Sequence, residues 1–143
     1  MERLRNATEA ENHYRFAVRI RPDWPAAYYN LARLLVSRGA IDEAVNHYCT
    51  VLKYDPSNAE ANVNLGIVLF DRGHSDEAIN HYRAALQIDT ELPEAYLNWG
   101  SALAAEGRNL EAAAAFRRAL QLLPSESNRA AKTRQVLRQP GNQ

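Results

Sequence analysis

The chain has 143 residues, enough for one domain, and its 46% hydrophobic content supplies a buried core and argues against disorder. Its 17 Lys and Arg cancel its 17 Asp and Glu, so it lacks the cationic field of a dedicated nucleic-acid binder. The single cysteine, Cys49, excludes an intrachain disulfide and a Cys-rich zinc site.

Apolar runs such as residues 65–70 are too short to span a bilayer. The first twenty residues carry Glu2, Arg3, Arg5, Glu9, Glu11, Arg15 and Arg19 without the apolar centre of a signal peptide. The expectation is a single soluble, cytoplasmic domain with no membrane contact. The sequon at Asn6, Ala7 and Thr8 would matter only in a secreted chain.

From the N-terminus, residues 8–21 read as one helix opened by a capping box, Thr8 with Glu11 three residues on. Beyond it the chain repeats with a 34-residue period, aligning residues 25–58, 59–92 and 93–126. Columns identical in all three blocks include Asn30/Asn64/Asn98, Gly39/Gly73/Gly107, Ala44/Ala78/Ala112 and Leu52/Leu86/Leu120. Residues 1–24 continue the pattern backwards, Ala10, Tyr14, Ala17 and Pro22 preceding Ala44, Tyr48, Val51 and Pro56 by one period. They supply only the second helix of an incomplete repeat.

Each block reads as two helices. In the first, Ala27, Leu31, Leu34 and Leu35 recur at helical spacing until Gly39, and Ala44, Tyr48, Val51 and Leu52 follow until Asp55 and Pro56. The glycines fall where a residue past a helix end adopts positive φ. Pro56 and Pro124 stop the second helix, whereas Thr90 holds that place in the second block and Pro93 opens the next helix. Ala32, Gly66 and Gly100 allow close backbone approach, and Tyr48, Tyr82 and Phe116 are expected to fill the space between successive hairpins. Residues 127–138 read as a capping helix, with Arg129, Lys132, Arg134 and Arg138 outward and Ala130, Ala131, Val136 and Leu137 inward. Residues 139–143 are expected to fray.

The pattern Tyr28-Leu31-Ala32…Ala44…Tyr48…Pro56, with Asn62-Leu65-Gly66…Ala78…Tyr82 and Tyr96-Trp99-Gly100…Ala112…Phe116…Pro124, resembles the tetratricopeptide repeat. Asn62, in an aromatic position, and Thr90, in a proline position, depart from it. The resemblance implies an all-α, right-handed superhelix of antiparallel helix pairs: three full repeats, an N-terminal half repeat and a C-terminal capping helix. It also implies that the first helix of each repeat lines a concave groove.

No sequence motif for catalysis is present: no G-x-G-x-x-G, P-loop, H-E-x-x-H, G-x-S-x-G or C-x-x-C. We therefore expect no enzyme, no cofactor and no catalytic residue. His13, His47 and His81 recur within three Asn-His-Tyr triplets. A metal ladder is disfavoured, because neighbouring helices lie roughly 8–10 Å apart while zinc needs ligand bonds of about 2 Å. Packed rings with one satisfied nitrogen are the expectation.

Asn30, Asn64 and Asn98 lie opposite the buried stripe of their helices. An amide is both donor and acceptor, so such a ladder can pair with the main chain of an extended peptide. It is similar to the asparagine ladder in the repeats of O-linked N-acetylglucosamine transferase. Tyr29, Arg33, Ile67, Phe70 and Asp71 flank it as candidates for choosing side chains, as do Val36, Val63 and Leu97. The carboxylate clamp of chaperone-tail-binding relatives is not reproduced, for Tyr29, Arg33, Asn64, Glu94 and Asn98 occupy its places and Glu94 would repel the ligand.

The expected function is a protein–protein interaction module holding an unstructured segment in its groove. Two alternatives are a scaffold, a homo-oligomer through its terminal helices with contacts on a Leu4/Phe16 face, and the adaptor portion of a larger glycosyltransferase.

Overall fold

A computed structural model describes residues 1–140. The expectation of fraying at 139–143 therefore lies, for its last three residues, outside the described ones. Among the described residues are eight helices and no strand: α1 (Glu2–Ile20), α2 (Pro25–Ser37), α3 (Ile41–Tyr54), α4 (Ala59–Asp71), α5 (Ser75–Ile88), α6 (Pro93–Ala105), α7 (Asn109–Leu122) and α8 (Asn128–Leu137). They form two compact units, Met1–Ala61 and the residues from Asn62 onward.

The turn inside each helix pair is built identically. After α2, Gly39 N–H bonds to Val36 C=O (3.0 Å) and Ala40 N–H to Leu35 C=O (2.9 Å), the paired bonds of a Schellman motif. Gly73 with His74, and Gly107 with Arg108, repeat the arrangement after α4 and α6. All three glycines have positive φ, from 74° to 83°, a region other residues reach only with strain. A three-residue connection folds the second helix back against the first.

The joins between repeats vary. Pro25 and Pro93 open α2 and α6 at a position where the missing N–H costs nothing. Asn58 Oδ1 caps α4 by accepting from Ala61 N–H (2.9 Å), and Ser127 Oγ caps α8 by accepting from Ala130 N–H (3.1 Å). Where Thr90 replaces proline, Asp89 Oδ1 accepts from Glu91 N–H (2.9 Å), an Asx turn that redirects the chain by another means.

The first unit buries Ala27, Leu31, Leu35, Ala44, Tyr48 and Val51. Across its surface Arg15 of α1 pairs with Glu11 of the same helix and with Glu43 of α3, and Arg38 also pairs with Glu11. The second unit buries Leu65, Ala78, Tyr82, Ala85, Leu103 and Phe116.

Several expectations need correction. Helix α1 begins at Glu2, and Thr8 is internal to it: its hydroxyl bonds back to Leu4 C=O (3.0 Å) instead of capping. Residues 2–7 contain nothing that stops a helix, so the capping pattern had no terminus to mark. Tyr82 and Phe116 lie within hairpins. A Cβ on Gly66 would fall 2.6 Å from the Tyr82 ring, and one on Gly100 would fall 2.7 Å from the Phe116 ring. The glycines therefore admit an aromatic face against the helix backbone. On α8, Ala131 is exposed while Thr133 is buried. Leu4 and Phe16 do not share a face, since twelve residues at 3.6 per turn separate them by about 120° around α1.

Candidate functional site

Helices α2 and α6 each have one buried stripe set by apolar residues, Ala27, Leu31 and Leu35 on α2 and Ala95, Ala102 and Leu103 on α6. On each helix, the side chains beside its stripe are the candidates for contact with a partner. Asn30, Asn64 and Asn98 are each half-buried. Among the described residues, neither Asn30 nor Asn98 uses its side-chain amide in a hydrogen bond with another group.

In the first unit the predicted residues Tyr29 and Arg33 come together, with Tyr48 and Glu60 beside them. The Tyr29 hydroxyl donates to Glu60 Oε2 (2.8 Å), its ring meets Tyr48 edge-on with centroids 6.1 Å apart, and the Arg33 guanidinium lies 5.8 Å from the ring centroid. Arg33 and Glu60 are exposed, so a cation and an anion flank one half-buried aromatic ring.

In the second unit Ile67 and Phe70 are half-buried and Asp71 is exposed. Val63, proposed from sequence as a pocket wall, is buried core at 8% exposure. Helix α4 buries Val63 as well as Leu65, Val68 and Leu69, more than one amphipathic face. Tyr82 is fully buried, its hydroxyl has no hydrogen-bond partner among the described residues, and burial, with the Asp71 charge adding, pushes its pKa up.

The histidine column divides. His13 is exposed, contrary to the expectation of packing. His47 lies against the Tyr28 ring with centroids 5.6 Å apart, its Nε2 at 3.5 Å from Glu43. His81 Nδ1 is 3.0 Å from Asn62 Oδ1, and Asn62 is buried. The aromatic-to-asparagine departure at residue 62 thus exchanges a ring contact for a hydrogen bond at the same place. Among the described residues no three His, Cys, Asp or Glu side chains gather into a metal site.

One feature was missed from sequence. In the second unit a cleft of about 510 Å³ lies among α6, α7 and α8, lined by Leu97, Ser101, Ala104, Phe116, Lys132 and Val136 among others. Lys132 stands one repeat after Asn98, in the asparagine column. The signal was available, since Leu137 likewise continues the column of Leu103, but Arg129 and Thr133 stand in the places of Ala95 and Trp99, and the aligned blocks end at residue 126.

Helix pairs of fixed length, glycine-ended first helices and an aromatic on each second helix define a helical-repeat protein. The Tetratricopeptide repeat model matches residues 2–49, 29–93 and 69–127, and the chain belongs to the tetratricopeptide repeat family. Among solved structures, it is similar to a MamA RS-1 ArsTM double mutant, with a TM-score of 0.83, 24% identity and coverage of 94% of this chain and 74% of that one. A second MamA structure superimposes with a TM-score of 0.80 at 18% identity, covering 94% of this chain and 77% of that one. The Arabidopsis OM64 TPR domain gives a TM-score of 0.74 at 27% identity, over 80% of this chain and 93% of that one. No curated protein matches. Repeats of this family are protein–protein interaction modules, and the chain is of that kind. No helix among the described residues is long and apolar enough to cross a membrane.

Proposed function

We propose that the chain binds an extended, unstructured segment of a partner protein along the exposed faces of its first helices. Asn30 in the first unit, and Asn64 and Asn98 in the second, hold the segment by its main chain. Tyr29 and Arg33, and Ile67, Phe70 and Asp71, select its side chains. One observation carries this reading: the same amide recurs at the same place in three repeats, half-buried, beside rather than within the core. Asparagine is a poor helix former, so helix stability does not explain its recurrence.

Magnitude requires the flanking residues. A net hydrogen bond contributes about 1 kcal/mol, and three of them reach only about millimolar affinity. The apolar and aromatic neighbours must supply the rest. Catalysis has no place in this reading.

The test is a peptide-library selection against the chain, counter-selected with the Asn30→Ala/Asn64→Ala/Asn98→Ala variant after circular dichroism has shown it helical. Peptides kept by the parent and lost by the variant support the reading. Equal retention by both reduces the asparagines to helix surface. A second reading, self-association through α1, draws on the exposure of Phe16 (63%) and Ile20 (65%), one turn apart on that helix.

A further inference from the structure

We propose that the cleft among α6, α7 and α8 is a specificity pocket that receives a bulky apolar side chain of the bound segment together with a neighbouring acidic side chain, the carboxylate pairing with Lys132. The proposal rests on the peptide-binding reading above and names what one end of that site selects.

Comparing columns explains why a pocket exists here. The second repeat carries Ile67 and Phe70, and the third carries Ser101 and Ala104 in the same two places. Replacing two large side chains by two small ones on one helix face opens the space that Leu97, Phe116 and Val136 then line. At about 510 Å³ it falls within the roughly 300–1,000 Å³ of sites that take ligands larger than one side chain. A segment therefore runs through it with two adjacent residues inside.

The polarity of the lining sets the second requirement. Ser101 Oγ donates to Leu97 C=O (3.0 Å) and Thr133 Oγ1 donates to Arg129 C=O (2.7 Å), so both hydroxyl donors are already satisfied on their own helices. The amides of Asn109 and Gln139 are neutral, and Lys132 is the one charged group in the lining. Lys132 has no ion-pair partner among the described residues, whereas the nearby Glu94 is held by Arg129 at 3.4 Å. A lining of apolar and neutral polar groups with one uncompensated ammonium complements an apolar group bearing a carboxylate beside it.

The experiment measures binding of peptides capped at both ends, built on one sequence taken from the selection above and carrying Leu-Glu, Leu-Gln, Leu-Lys or Ala-Glu at the varied pair. Leu-Glu should bind at least about tenfold tighter than Ala-Glu, the low end of what one methylene contributes in a hydrophobic pocket. It should likewise exceed Leu-Gln and Leu-Lys. Lys132→Glu should reverse the order of Leu-Glu and Leu-Lys. Ser101→Ile/Ala104→Phe, which imports the residues of the second repeat, should abolish the Leu-over-Ala preference and keep binding that depends on Asn98.

Capped peptides that bind through the asparagines with no preference at the pair, unmoved by Lys132→Glu, would overturn the pocket assignment and leave the peptide-binding reading standing. A preference seen only with an uncapped C-terminal carboxylate would overturn the choice of an internal acidic residue. If the selection returns no peptide at all, the broader reading fails and takes this one with it. Lys132 is exposed, so its variant reports on the pocket even where the double substitution unfolds.

Discussion

Asn62 Oδ1 lies 3.0 Å from His81 Nδ1, inside the hairpin of α4 and α5, at the place where the preceding repeat sets the Tyr28 ring against His47. An amide oxygen can only accept, so as a hydrogen bond this contact has His81 Nδ1 as the donor. Burial lowers the pKa of His81, opposed in part by the Glu77 charge.

The sign of the pH dependence follows. A histidine whose folded pKa lies below its usual 6.5 binds fewer protons folded than unfolded. Its contribution is complete above pH 6.5 and is lost as pH falls through the lowered value. Replacing it by glutamine removes that dependence. Urea unfolding at pH 7.5 and at pH 5 should show the parent losing more stability than His81→Gln. Equal losses would mean the ring titrates as if exposed.

Gly66 supplies a test of packing against propensity. Alanine is favoured over glycine within a helix by about 1 kcal/mol, but a Cβ at residue 66 would sit 2.6 Å from a ring carbon of Tyr82, which is fully buried. Overpacking of that kind costs about 1–3 kcal/mol. Gly66→Ala should therefore lower Tm, with a change in the tyrosine near-ultraviolet signal. A raised Tm would show that the ring moves freely.

How far this was readable beforehand differs between fold and site. The repeat period, helix pairing and glycine turns follow from columns such as Gly39/Gly73/Gly107, since backbone geometry ties those residues to those places. Tyr82 was legible as core, but its neighbour was not: a 34-residue register places rings at a level and does not say which of two adjacent helices they face. The cleft at Lys132 was hidden for a different reason. It arises from what Ser101 and Ala104 lack, and missing volume has no signature until another repeat is compared column by column. Thr8 misled because a capping pattern inside a run of good helix formers is silent.

Arg15 joins α1 to α3 by donating to the Glu43 carboxylate, while it also donates to Glu11 on its own helix. Its hydrogen bond holds the Glu43 carboxyl below the ordinary value of 4.5. A depressed acid pKa stabilises above the unfolded value and loses that contribution as pH falls through the folded one. Both side chains are 40% exposed, so solvent screening keeps the pair to about 0.2–1 kcal/mol. Glu43→Gln should cost stability of that size at pH 7 and none near pH 2, and the difference should shrink in high salt. Persistence of the full difference at pH 2 would assign the loss to packing.

The exposed face of α1 can be tested by the geometry that separates Leu4 from Phe16. Phe16 and Ile20 are one turn apart and 63% and 65% exposed, while Leu4, at 72%, points about a third of a turn away. On the reading of self-association through α1, the exposed side chains of Phe16 and Ile20 form the contact with a second copy. Sedimentation equilibrium should show a mass that rises with concentration. Phe16→Asp or Ile20→Asp should hold the chain monomeric, whereas Leu4→Asp should leave the rise unchanged. Loss of association on Leu4→Asp alone would shift the contact to the other side of the helix. A parent mass that stays monomeric at every concentration would eliminate self-assembly through α1.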